Sequence, residues 1–259
     1  MPNDIKTFIK FANYFADQSR NILKKKFLKS LKIEQKNDGS FVTSIDKEIE
    51  SKFRDLLKKT FPSHGVVGEE FGFENENNEY VWVIDPLDGT HNFIAGKPLF
   101  GTLICCMKNG VPFIGIVEVP ILENRWYGGK GLGVKFNGKN CIFKKKQKKF
   151  NDLIVASTSL LMFDPAYEKK VKDIYKNIGF PIFGSDCYSY GLMLLGKIDL
   201  IIEANMKPWD YLAQVSLINE YGGIITDWKG EQLGLKSSGK IIASLEKNHH
   251  KKIIEHLNK

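Results

Sequence analysis

The hydrophobic period changes along this chain, and that change limits its fold more than any other feature. Ile5, Phe8, Ile9, Ala12, Phe15, Ala16, Ile22 and Leu23 recur at helical spacing, which predicts an amphipathic helix over residues 3–28. Ile45, Ile49, Phe53, Leu56 and Leu57 mark a second helix, closed by Pro62. Short apolar runs then take over. Residues 80–84 read as a buried strand, and residues 99–107 and 111–119 as a strand pair turned by Asn109-Gly110. Glycines punctuate residues 128–138. The stretch 140–152 is the expected seam between a part spanning 1–145 and a part spanning 146–259. In the second part, strands at 153–156, 198–203, 224–226 and 241–243 alternate with helices at 165–178, 188–195, 209–221 and the C-terminus. A chain that mixes the two periods in this way packs helices on sheets in layers, an α/β architecture.

The charge balance needs weighing before any site is sought. A net charge of +8 suits a phosphorylated or nucleic-acid ligand. Arginine, however, occurs only at Arg20, Arg54 and Arg125, and it is arginine that makes bidentate contacts to guanine and phosphate. The lysine run at residues 144–149 reads as a solvated linker, and no nucleic-acid partner is expected. Cys105, Cys106, Cys141 and Cys187 show no metal spacing and read as reduced thiols. No apolar run approaches the ~18 residues of a membrane span, and the N-terminus lacks a secretory pattern. The expected location is cytoplasmic, without a membrane.

The chemistry concentrates in Trp82-Val83-Ile84-Asp85-Pro86-Leu87-Asp88-Gly89-Thr90. An apolar strand ends in two carboxylates three residues apart, on a turn that can point both into one space. Close together they repel unless a cation holds them, and hard oxygen ligands favour Mg2+. Ordinary turn chemistry, with Asp85 capping a helix, explains the same stretch. Upstream, Gly68-Glu69-Glu70 follows an apolar pair and reads as another strand end or as an acidic turn. Downstream, Pro208-Trp209-Asp210 opens a helix, where an acid also suits the dipole. Thr43 with Asp46 fits a capping box.

Taken in order, the Gly-Glu-Glu triplet, the run Asp85–Phe93 and the segment from Trp209 to Gly223 resemble the inositol monophosphatase superfamily of metal-dependent sugar phosphatases. The resemblance runs from Lys36 to Trp228. It implies a layered α-β-α-β-α sandwich and Mg2+-dependent hydrolysis of a small phosphomonoester by an activated water, with two or three ions per site. It implies metal binding by Glu69, Asp85, Asp88, Asp210 and the Leu87 carbonyl. Thr90, paired with Asp46, would orient the water with Glu69, and the Gly89 and Thr90 amides would hold phosphate beside Asp88 and Asp210. Lys36 would belong to a loop over the site. A homodimer and inhibition by lithium are further implications. Independently, no cysteine is followed six residues later by arginine, no Asp-x-Asp-x-Thr occurs, and the glycines at 128–133 miss the dinucleotide spacing.

For the substrate, Glu203 matches by position the family residue that contacts the organic part. Asp186 lies where inositol-specific members carry a small residue. A second carboxylate there suits a cationic substrate, although Asp186 could instead cap a helix. Gly184-Ser185-Asp186-Cys187-Tyr188-Ser189-Tyr190 and the segment around Asp210 look most like the histidinol-phosphate phosphatase branch. The two tyrosines read equally as core aromatics. The alternatives are an inositol-1-phosphatase or broad sugar phosphatase, and a non-catalytic protein associated with RNA or transcription.

Overall fold

The computed structural model describes residues 2–29, 33–35, 41–142, 148–177 and 179–259. Lys36 and most of the lysine run lie outside these residues. Lys148, inside them, pairs with Asp199 at 2.7 Å.

Two helices, α1 (Pro2–Lys26) and α2 (Ser44–Thr60), flank a short hairpin of β1 (Ile33–Gln35) and β2 (Phe41–Thr43). An eight-stranded sheet follows, built from β3 (Gly65–Gly68), β4 (Gly72–Glu74), β5 (Tyr80–Asp88), β6 (Gly101–Lys108), β7 (Val111–Val119), β8 (Asn124–Gly129), β9 (Gly133–Phe136) and β10 (Lys139–Asn140). Its order is β10-β9-β8-β7-β6-β5-β3-β4. All its pairs are antiparallel except β3 with β5, and the one-turn helix α3 (Thr90–Ile94) leaves the end of β5.

The second sheet orders β12 (Phe180–Phe183), β11 (Ile154–Ser157), β13 (Leu200–Glu203), β15 (Ile241–Ser244) and β14 (Ile224–Thr226). Four helices accompany it: α4 (Pro165–Lys176), α5 (Asp186–Leu194), α6 (Pro208–Tyr221) and α7 (Lys247–Leu257).

Side-chain alternation along the strands sorts these elements into layers. Trp82 and Ile84 of β5 join Phe8, Phe11, Phe15, Ile49 and Phe53 of α1 and α2 in one core. Val81 and Val83 point the other way, into a second core with Tyr190, Met193, Tyr211 and Leu217 of α5 and α6. That core also takes Ala156, Ile201 and Ala243 from the smaller sheet. The opposite face of that sheet, through Val155, Ile202 and Ile242, meets Val171, Ile174, Ile253 and Leu257 of α4 and α7. The result is the expected α-β-α-β-α stack. Helix α6 is buried almost all round, as a helix between two sheets must be. The adjacent Cys105 and Cys106 fall into different cores, and all four cysteines are free thiols.

The sequence expectations differ from these elements in three instructive places. The strand expected at 80–84 runs on to Asp88. The helix expected from 188 begins at Asp186. Strands β8 to β10 form through the glycine-punctuated stretch, where side-chain alternation has little to mark it.

Candidate active site

Strands β3 and β5 run parallel, with Gly68 opposite Ile84, so Glu69 and Asp85 emerge side by side at their carboxyl ends. Ends of parallel strands are where α/β folds gather reactive groups. On a regular strand Asp85 and Asp88, three apart, would face opposite ways. The pairing of β5 with β6 prevents this. Asp85 lies opposite Leu103 and Asp88 opposite Gly101, so β5 carries one extra residue there. Such a bulge re-aims the side chains that follow it. Asp85 accepts from the Leu87 N–H at 2.9 Å, and Asp88 accepts from the Cys187 N–H at the start of α5 at 2.8 Å.

Asp210 arrives from the first turn of α6, where its carboxylate accepts from the Lys207 N–H at 2.7 Å. Carboxylate oxygens of Asp85, Asp88 and Asp210 all lie within 4.8 Å of one another. Asp85 is buried, and the other two are half-buried. Glu69 stands at the edge of this group, and its charge acts on all three. Burial, then mutual repulsion, pushes Asp88 up to about 7. Burial likewise lifts Asp210 to about 7, against the Lys207 hydrogen bond, and drives Asp85 well above the usual carboxylate range. Oxygen donors crowded in this way fit a hard divalent cation, whose charge reverses the repulsion. A further sign of a polar occupant is Tyr190. Its buried hydroxyl has no hydrogen-bond partner among the described residues, yet it feels the charges of Glu203, Asp88 and Asp210.

Gly89 caps α3 with φ of 80°, a conformation that favours glycine, and this turns the chain directly after Asp88. The expected pairing of Thr90 with Asp46 is not what the side chains do. The Thr90 hydroxyl donates to the Leu87 carbonyl at 3.0 Å. Asp46 accepts from the Thr43 N–H at 2.9 Å and from the Thr43 hydroxyl at 2.6 Å, closing the capping box of α2. Each hydroxyl has one proton, and each gives it to an acceptor three residues away in its own turn. Asp46 is buried and pushed up to about 6, chiefly by burial, with Glu70 and Glu69 adding repulsion. The Leu87 carbonyl keeps a second lone pair for another partner.

Asp186 opens α5 at φ of 40°, a left-handed conformation that Asp tolerates better than most residues. Its carboxylate accepts from the Asn92 side chain, which is also near the carbonyls of Leu99 and Gly184. It lies 3.3 Å from where a Cβ on Gly89 would sit. Burial, then repulsion from Asp88, pushes Asp186 up to about 8, while Lys97 opposes. Glu203 is buried at the end of β13, and both its oxygens accept from Thr158, at 3.0 and 3.1 Å to the N–H. Burial lifts it to about 8.

Four participants escaped the sequence reading: Asn92, Lys97, Thr158 and the Cys187 N–H. Asn92 stands within the run Asp85–Phe93, so position alone could have flagged it. Thr158 and Cys187 reach the site only through tertiary packing.

A model of the inositol monophosphatase family matches residues 4–259. The bifunctional phosphatase IMPL2, chloroplastic, of Arabidopsis thaliana is 37% identical over 93% of this chain and 70% of its own length. A fructose-1,6-bisphosphatase/inositol-1-monophosphatase of Aquifex aeolicus is 32% identical, covering 90% and 89%. A histidinol-phosphatase of Chlorobaculum parvum is 29% identical, covering 83% of each. Among solved structures, an inositol monophosphatase from Zymomonas mobilis superimposes with a TM-score of 0.88 at 32% identity, over 98% of both chains.

Proposed function

The chain belongs to the inositol monophosphatase family, and from that premise we propose that this phosphoric monoester hydrolase cleaves L-histidinol phosphate to L-histidinol and phosphate with the help of Mg2+. The observation that carries the substrate is the half-buried carboxylate of Asp186, held beside Gly89 at the rim of the acid cluster. Histidinol phosphate brings an amine and an imidazole. A cationic group draws Asp186 back to its charged form, whereas a neutral inositol ring gives it no such partner. Glu203, a second acid close enough for its charge to bear on Asp186, strengthens the preference.

In the mechanism we propose, Asp85, Asp88, Asp210, Glu69 and the Leu87 carbonyl hold the metal, in a set of two or three ions. When bound, Mg2+ neutralises the phosphate dianion, activates water and stabilises the leaving oxygen. The remaining work falls to the chain. The turn at Gly89 presents its own amide and that of Thr90 to the phosphate. Thr90 and Asp46 steer the water, which in this reading requires the Thr90 hydroxyl to exchange the Leu87 carbonyl for a partner in the site. The water oxygen bonds to phosphorus and gives up a proton, the ester P–O bond breaks, and a proton passes to the departing alkoxide oxygen, which leaves as the hydroxyl of the alcohol product. Residues 1–145 and 146–259 act as one catalytic unit, since Asp210 and the Cys187 amide meet Asp85 and Asp88. Lithium inhibition and a homodimer belong to the same reading. Among the described residues no helix is long and apolar enough to cross a membrane.

The test is phosphate release with Mg2+ from histidinol phosphate, inositol 1-phosphate and fructose 1,6-bisphosphate at matched concentrations. A kcat/KM for histidinol phosphate at least about a hundredfold above the others, some 2.7 kcal/mol of discrimination, is the expected result. Equal or better turnover of the sugar phosphates would leave the chemistry standing and overturn the role of Asp186.

A further inference from the structure

Among the described residues two fully buried carboxylates have no part in the mechanism: Glu118, paired with Arg20 and Arg125 away from the site, and Glu50, which stands next to it. Glu50 lies on α2, one turn beyond Asp46 and on the same face of the helix. It is fully buried. Its oxygens accept from the Glu70 N–H at 2.7 Å and the Phe71 N–H at 3.1 Å. Arg54, one further turn along, donates to Glu50 at 2.9 Å. The same guanidinium reaches the Gly72 carbonyl at 2.5 Å and Glu74 at 3.3 Å, and lies over the Phe71 ring. The approach on the other side of Glu69 is equally close. A Cβ on Gly68 would stand 2.1 Å from a Glu50 oxygen, so any larger residue there would displace the Glu50 carboxylate from its bonds.

Between them Glu50 and Arg54 grip residues 70–72, directly after Glu69. A buried carboxylate costs stability unless it is hydrogen-bonded, and Glu50 directs its bonds to this one turn. We infer that Glu50, braced by Arg54, is a positioning residue that fixes the turn 68–72 and thereby aims Glu69 at the metal. The inference rests on the metal-dependent reading above. It assigns to Glu50 no contact with substrate.

The experiment compares the unsubstituted protein with Glu50→Gln. The glutamine keeps one acceptor oxygen, but its NH2 faces a second donor and cannot hold both amides. Calorimetric titration with Mg2+ should show a Kd raised about tenfold to a hundredfold, the usual cost of losing a support behind a metal ligand. Hydrogen exchange without metal should speed up at the Glu70 and Phe71 amides and remain unchanged in α6. Turnover should recover towards wild type at saturating Mg2+, a change in half-saturation and not in kcat. Should Glu50→Gln fail to fold, Arg54→Ala gives the same readouts, with a Kd shift of several fold. An unchanged Mg2+ Kd beside a lowered Tm or kcat would make Glu50 merely structural and overturn the inference. Wild-type protein that binds no Mg2+ would overturn the metal-dependent reading, and this inference with it.

Discussion

At the scale of single residues, the acids of this protein divide by what each is tied to. Asp85, Asp88 and Asp210 each accept one backbone N–H, which aims them inward and leaves lone pairs for a cation. Asp186 is tied to a side chain, Asn92, and sits at the rim. Its left-handed backbone makes alanine a poor probe, so Asp186→Asn is the better one: asparagine tolerates that conformation and keeps the contact to Asn92. Loss of a hydrogen bond to a charged group costs about 1.5–3 kcal/mol. The substitution should therefore lower kcat/KM on histidinol phosphate about tenfold to a hundredfold and leave inositol 1-phosphate nearly unchanged. Steady-state kinetics on both substrates decides, and an equal loss on both would make Asp186 structural. The acids were legible in the sequence because their spacing and neighbours are local. The partners of Thr90 and Asp46 were not, because a hydroxyl chooses among acceptors that only packing brings within reach.

At the scale of elements, the bulge in β5 and the reversal at Gly89 put the acids and the α3 turn in one place. Ala at position 89 would hold φ near 80° against its own Cβ, which would also lie 3.1 Å from the Leu99 carbonyl. Gly89→Ala should lower stability by about 1–2 kcal/mol. It should lower turnover much further, because the amides of the turn move with it. Urea unfolding and phosphate release on the same preparation measure the two effects, and unaltered turnover would remove the turn from the mechanism. The helices α1, α2 and α6 and the hairpin of β6 and β7 could be read from hydrophobic period and turn residues. The bulge could not, since register is a property of two strands and one of them is silent about the other. The edge strands β4 and β12 escaped for another reason: β4 is mostly exposed, and Pro181 interrupts the apolar run of β12.

At the scale of the whole molecule, the stacked acids make stability depend on pH and metal together. Carboxylates raised in the folded state bind protons there that the unfolded chain has already released. Their contribution is present below the ordinary carboxylate range and is lost as pH rises through the folded values, about 6 for Asp46, 7 for Asp88 and Asp210, and 8 for Asp186 and Glu203. Metal-free protein should thus melt at lower temperature at pH 8 than at pH 6. Added Mg2+ should raise Tm more at pH 8, where the ligands are free of protons. Thermal melts with chelator and with Mg2+ at both values test this. A Mg2+ shift that is no larger at pH 8 would place the ion elsewhere.

Helix α6 lies between the two sheets, and Asp210 on its first turn completes a cluster whose other members come more than a hundred residues earlier. A nascent chain leaving the ribosome therefore carries Glu69, Asp85 and Asp88 well before it carries Asp210. Until residues 208–221 have docked, the early acids have no fourth partner and the α5–α6 face of the large sheet has no cover. Metal capture should therefore come late in synthesis, and chains released by a ribosome stalled before residue 210 would be unable to spend the cell's phosphate esters.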